Sequence, residues 1–281
     1  MKKTIHFLEH FFKVQAAGSS AKTEFIAGVT SFLTMAYILL VNPSILGSVG
    51  MNPGAAFVAT CLASALGCLL MGVMANYPIA IAPSMALNAY FAYVIVQGMG
   101  YSWQVALGAV LLAGVLFLAL TILGARQWII RAIPESLHVG VCAGIGLFIG
   151  LLAFKSAGVV VANPQTLVSL GAITSAPVVL FLVGFCLIVG LDYLRVPGAI
   201  IIGILVTTLL GLLTGHTQFH GFMALPPSLD STWMHFSFDG LWTGHGPAII
   251  FSFFLVALFD AAGTLVGVLQ APQFKNDPHR P

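Results

Sequence analysis

Stretches of about twenty apolar residues recur along nearly the whole chain, and that recurrence leaves few folds open. Inside a bilayer only a helix or a closed barrel satisfies its own backbone polar groups, and about twenty helical residues cross the hydrocarbon. Eight candidates can be read off, at roughly 25–46, 54–75, 79–97, 101–123, 136–154, 177–194, 197–214 and 247–269. Composition agrees with them. Hydrophobic residues make up 59% and charged residues 6% of the 281, with a mean hydropathy of +1.04. A soluble domain carries about 25% charged residues on its surface. The sequence therefore predicts an all-α polytopic membrane protein whose outer partner is the lipid bilayer. A net charge of +2 is too small to point to a nucleic-acid partner.

Lys and Arg gather in the cytoplasmic connections of such proteins. With the N-terminus inside, Lys2, Lys3, Lys13 and Lys22 precede the first span, Arg126 and Arg131 follow the fourth, Arg195 follows the sixth, and Lys275 and Arg280 follow the eighth. All nine land in the cytoplasm, and only Lys155 lands outside. A span missed or invented midway would move the later charges to the wrong side. Residues 1–24 then form a cytoplasmic N-terminal segment, 215–246 an external loop and 270–281 a cytoplasmic tail. The run Val159–Val161, in the connection after the fifth span, has the β-branched character of a short strand.

By this count the eighth span enters the membrane from the side opposite the first. Such parity belongs to an inverted repeat, in which interrupted helices from two halves face each other near the midplane. Six further spans would complete a second set of seven, so an incomplete chain is the expectation.

Asp260 sits close to the middle of the eighth apolar run, within Val256-Ala-Leu-Phe-Asp260-Ala-Ala-Gly-Thr264. A charge at that depth costs about 2.5–3.5 kcal/mol on insertion scales, so such residues mark ion or substrate paths by default. The other seven acidic residues lie at span ends or in connections, and no Lys or Arg falls within a span at matching depth. A carboxylate there is expected to stay protonated or to line a hydrated cavity, and either state suits proton coupling. Thr264, four residues on, would share its helical face.

In the third span Pro78 and Pro83 interrupt the first half. Proline has no amide hydrogen and disfavours helix in the residue before it, so an extended approach and a helix start near Ser84 are expected. A helix that starts at membrane depth presents backbone N–H groups and the positive end of its dipole, around Ala86 and Leu87. Asn88 follows within a turn, with donors and an acceptor on one side chain. The competing reading is a proline kink with Asn88 packing helix against helix; these residues alone leave both open.

The remaining polar residues read more plainly. Thr30, Thr34 and Tyr37 share a face of the first span; the hydroxyls of the threonines are expected to bond back to the helix, and Tyr37 stays a candidate site residue. Cys61, Cys68, Cys142 and Cys186 all lie in apolar spans without a Cys-x-x-Cys pair and read as small buried hydrophobes. His216, His220, His235 and His245 lack metal-ligand spacing, so neither a metal nor a cofactor is expected.

These residues also carry a resemblance. Ala82-Pro-Ser-Met-Ala-Leu-Asn88-Ala-Tyr-Phe-Ala-Tyr93 is similar to the third-span motif of the nucleobase–cation symporter-2 superfamily, in its adenine/guanine/hypoxanthine permease branch, which usually reads A-P-G-M-G-L-N-A-Y-F-A. Glu24 to Tyr37, Asn42-Pro43, and Leu258-Phe-Asp-Ala-Ala-Gly-Thr-Leu-Val-Gly267 resemble that branch's first and eighth spans. Ser84 and Ala86 stand where glycines are usual, and Ala261 where threonine is common in part of the branch.

The resemblance implies fourteen spans as two inverted sets of seven, of which eight are present. It implies a core domain containing 25–123 and 247–269, a gate domain containing 124–214, and elevator-like, proton-coupled uptake of a purine nucleobase across a bacterial inner membrane, with a homodimer as a further expectation. By position, Asn88 and Asp260 match residues that contact the purine, with backbone around Ala86 and Leu87. The tenth span, which supplies the second carboxylate in that family, is not in this chain. Two rival readings are a sulfate-type anion permease of the same fold, which would want a cation rather than Asp260 at the midplane, and a non-transporting membrane subunit or truncated remnant. No span-embedded cluster of His, Glu and Asp suggests an enzyme.

Overall fold

The computed structural model describes residues 11, 12, 14, 19–124, 135–196, 198–217 and 225–269, with the side chains of 135–139, 141, 142, 145 and 262–269 outside that description. Most of the segment 1–24, Arg126, Arg131, His220, the tail 270–281 and the side chains of Cys142 and Thr264 therefore lie outside it.

The first apolar stretch forms two helices, α1 (Ala21–Met35) and α2 (Ile38–Gly47), where the sequence predicts one span over 25–46. Ser20 caps α1, its hydroxyl accepting from the Thr23 N–H at 3.2 Å, and Glu24 places a carboxylate at the positive end of the dipole. At Ala36 and Tyr37 the ladder tightens: the amides of Leu39 and Leu40 bond three residues back, to Ala36 and Tyr37. Pro43 lies inside α2. Helix α3 (Pro53–Leu70) starts with proline in its first turn and with Asn52 Oδ1 accepting from the amides of Gly54 and Ala55, at 2.9 and 3.1 Å. It runs on as a π-helical turn, Met71–Ala75, and stops at Asn76, whose φ of 55° lies in the left-handed region.

Residues 77–84 have no helix. Helix α4 (Met85–Ala89) follows and widens into the π-helix Tyr90–Gly98. Then come α5 (Trp103–Ile122), capped by Ser102, and α6 (Glu135–Ser156). A small antiparallel hairpin, β1 (Val160–Asn163) and β2 (Leu167–Leu170), pairs Val160 with Leu170 and Asn163 with Leu167. Asn163 Oδ1 closes its turn by accepting from the Gln165 amide at 2.8 Å. The all-α expectation is corrected by this element. Its β-branched stretch was the sequence signal. Helices α7 (Ala176–Tyr193), α8 (Ala199–Leu213) and α9 (Gly246–Leu269) complete the described elements.

Contacts divide the chain into two compact units, one of residues 1–41, 60–82 and 150–227, the other of 42–59, 83–149 and 228–281. In the first, α7 and α8 pack closely and α8 also meets α1. Gly203 makes that approach possible, since a Cβ there would fall on the Ile188 side chain. Small residues at helix contacts are the membrane counterpart of core packing.

The second unit has an apolar centre. Ile249, Phe253 and Phe254 of α9 pack with Ala106, Ala109 and Ala113 of α5 and with Phe91 and Ile95. The rings of Tyr90 and Phe253 meet edge to face at 5.2 Å. The chain before α9 returns to the start of α5: the Ser237 N–H donates to the Gln104 carbonyl at 3.0 Å, and Leu241 is wholly buried in the same cluster. The N-terminal ends of α5 and α9 therefore lie together and the two helices run parallel.

Four described helical stretches, Ala21–Gly47, Pro53–Ala75, Trp103–Ile122 and Ala176–Tyr193, are long and apolar enough to cross a membrane by length and composition. Their outward faces are apolar, with Phe25, Phe32, Leu66, Leu118 and Val183 exposed. A face of that kind is solvated by lipid and not by water. The chain is a polytopic helical membrane protein.

Candidate functional site

Pro83 and Ser84 make the start of α4. Ser84 is extended (φ −67°, ψ 122°) and its hydroxyl accepts from the Leu87 N–H at 3.2 Å, a side-chain cap. Of the amides at this helix start, that of Leu87 is taken by Ser84 itself, so a residue that stands where the resembled motif has glycine supplies the cap.

Ala86 is buried and Leu87 packs against the apolar cluster of the second unit. Asn88 is half-buried, and its Nδ2 donates to Oδ1 of Asn42 at 2.5 Å. Asn42 is 3% exposed and belongs to α2, one residue before Pro43. One Asn88 donor is thus committed within the protein, while its carbonyl oxygen remains an acceptor in type. The sequence placed Asn42-Pro43 near the end of the first span and gave Asn42 no part in the site. A second asparagine within an apolar span was the available signal.

Asp260 lies on α9, half-buried. Helix α9 packs against both α4 and α5, so Asn88 and Asp260 stand on neighbouring helices of one unit. Thr264 falls on the same helix one turn later, with its side chain outside the description. Tyr37 belongs to the first unit, half-buried in the turn between α1 and α2, where its carbonyl accepts from the amides of Leu40 and Val41.

Thr30 and Thr34 bond back to the carbonyls of Ile26 and Thr30, both at 2.9 Å, so those hydroxyls serve the helix. Cys68 is more than a small hydrophobe. Its thiol accepts from the Ile81 N–H at 3.1 Å and donates to the Ile81 carbonyl at 3.3 Å, holding the extended segment against α3. Gly67 lets that segment come close, since a Cβ there would lie 3.2 Å from Ile81 Cγ2. Between α1, α3 and this segment lies a cavity of about 510 Å³, lined mainly by apolar groups with Ser31, Cys61, Ser64 and Tyr77 among them. It belongs to the first unit and contains none of Asn88, Asp260 or Tyr37.

The site thus combines a helix beginning inside an apolar span, an amide side chain on its first turns, and a carboxylate on the helix packed beside it. Such a set can donate to and accept from a planar solute rich in N–H and ring nitrogen, while the surrounding apolar side chains exclude water.

Known proteins are similar to this chain over most of its length. The adenine permease AdeP of Escherichia coli (strain K12) is 49% identical over 261 residues, which is 93% of this chain and 59% of that protein. The adenine permease AdeQ of the same organism is 44% identical over 261 residues, again 93% and 59%. The guanine/hypoxanthine permease PbuG of Bacillus subtilis (strain 168) is 44% identical over 275 residues, 93% of this chain and 62% of that protein. The chain spans about six-tenths of the length of these curated relatives. The family described as Permease family (Xan_ur_permease) matches residues 22–279, nearly all of the sequence. This membrane chain belongs to the Permease family.

Proposed function

We propose that the chain is part of a purine nucleobase permease that carries adenine, guanine or hypoxanthine into a bacterial cell with a proton, as a carrier and not an enzyme. Two observations support this most: Asn88 and Asp260 stand on packed helices of one unit, and the chain is similar to proteins named for adenine and for guanine/hypoxanthine. Asp260 accepts from ring or exocyclic N–H groups of the base. The Asn88 carbonyl accepts alongside it, and the α4 amides ahead of Leu87 complement the ring nitrogens. The low-dielectric surroundings strengthen each of these bonds.

Asp260 also takes up the coupled proton. Carrying substrate and proton together avoids moving a bare charge across the bilayer. In this reading eight spans of a fourteen-span, twice-seven inverted repeat are present. The N-terminus is cytoplasmic and the membrane is the inner one. Residues 25–123 and 247–269 belong to a core domain that carries the base past a gate domain of 124–214 in an elevator-like motion. The assembly is a homodimer. Thr264, one turn after Asp260 on α9, adds a hydroxyl for the base, and Tyr37 remains a candidate ligand of its own unit.

The test is uptake of labelled adenine by the full-length protein in cells stripped of their own purine permeases. The reading expects competition by unlabelled guanine or hypoxanthine and none by sulfate. Uptake blocked by sulfate and indifferent to purines would replace it with an anion carrier.

A further inference from the structure

The loop before α9 is held at a fixed level against two helix ends. Ser237 donates to Gln104 in the first turn of α5, Phe238 lies against Gly108, and Leu241 is 0% exposed within the apolar cluster. Five residues later α9 begins at Gly246. Where α5 and α9 cross a bilayer, a segment fastened to their starts falls near the level at which the chain leaves the hydrocarbon.

From this fastened stretch large aromatic and apolar side chains stand outward. Trp233 is 65% exposed, Met234 69% and Trp242 71%. Trp242 follows the buried Leu241 directly, so its position is set by the docking and not by a wandering loop tip. Met234 has a φ of 57°, a left-handed conformation that non-glycine residues adopt uncommonly, and it and its neighbour Trp233 are both exposed. Several exposed polar groups of the loop bond locally: Ser228 bonds Asp230 at 2.5 Å, Ser237 bonds Asp239 at 2.6 Å, and the His235 ring meets the Trp233 carbonyl at 2.8 Å. Tyr101 and Trp103, at the same end of α5, add two more amphipathic rings.

Tryptophan has an apolar body and one N–H donor, which suits it to the boundary between acyl chains and headgroups and makes it abundant there. We propose that Trp233 and Trp242 seat the 228–246 loop in the headgroup layer of the bilayer. The loop is a lipid-contacting collar around the starts of α5 and α9, and its partner is the membrane surface.

The experiment uses the full chain in phospholipid vesicles, with variants that keep one tryptophan of Trp103, Trp128, Trp233 and Trp242 and carry phenylalanine at the other three. Lipids bearing a nitroxide on the headgroup, lipids bearing it deep in the acyl chain, and aqueous iodide serve as the three quenchers. The proposal expects emission shifted to shorter wavelength for Trp233 and for Trp242, with headgroup nitroxide the strongest quencher of both. Emission as in water with iodide strongest would overturn it, and so would indifference to all three quenchers, which would mark a protein partner or a second copy as the cover. If the triple variants fail to insert, the single changes Trp233→Phe and Trp242→Phe give the same answer. Each should remove a headgroup-quenched, short-wavelength component from the parent emission, and loss of an iodide-quenched component instead would sink the idea.

Discussion

At the scale of single residues the candidate site rests on Asn42 as much as on Asn88. Asn42 is nearly fully buried, and its Oδ1 accepts the Asn88 amide across 46 positions of sequence. Replacing it with alanine leaves the half-buried Asn88 amide without this acceptor, a loss of about 1 kcal/mol. Asn42→Ala is therefore expected to lower the melting temperature in detergent and to weaken purine uptake through a misplaced Asn88, with KM moving more than the amount of protein inserted. An unchanged KM would show that the pairing does not orient the site. Cys68 makes a cleaner contrast. Cys68→Ala should cost about 1 kcal/mol by releasing the Ile81 backbone, whereas Cys68→Ser keeps a donor and an acceptor and should melt near the parent. Equal melting of the two variants would contradict the thiol's role. Asn88 and Asp260 were legible in the sequence because a polar group in an apolar run is an anomaly that local reading detects. Asn42 and Cys68 were not, because their partners lie 46 and 13 residues away and no periodicity encodes that pairing.

At the scale of elements, two interruptions differ in how they are written. The extended residues ahead of α4 follow from Pro78 and Pro83, whose missing amides and ring clashes are visible in any sequence. The turn at Ala36 and Tyr37 has neither glycine nor proline at the break, and Pro43 instead sits within α2, so hydropathy alone merges α1 and α2 into one span. Packing decides there, and packing is not a local property. The close approach of the 237–241 stretch to α5 is likewise set by one glycine. A Cβ at Gly108 would fall on the Ser237 carbonyl, which is backbone and cannot rotate away. Gly108→Val is expected to lift the loop off α5 at a cost of about 1–3 kcal/mol from overpacking. Hydrogen exchange of the Ser237 and Leu241 amides should quicken in that variant while the α5 interior stays protected. Unchanged exchange would show that the loop is held by other means.

At the scale of the whole molecule, the parallel run of α5 and α9 meets the charge count from another direction. Among the described residues, helices α6, α7 and α8 lie between them, an odd number, which is what returning to the same side requires if each crosses once. On a cysteine-free background, Ser231→Cys should react with a membrane-impermeant maleimide in intact cells, and Lys22→Cys only after the membrane is opened. The reverse pattern would invert the proposed orientation. Apolar length and the placement of Lys and Arg made the membrane class and the expected topology readable. The candidate site was readable only in part, because a surface assembled from α2, α4 and α9 depends on which helices pack, and many sequences share the same hydropathy.

The central claim is that Asp260 is both purine ligand and proton carrier. Its most direct test is the pH profile of labelled purine uptake by the full-length protein carrying Asp260→Asn, which keeps the side chain's shape and removes its titration. The account predicts uptake lowered by about tenfold or more, equivalent to about 1.4 kcal/mol or more of lost interaction, with the residual uptake no longer following external pH. Uptake at the parent level that still rises as the outside is acidified would contradict it.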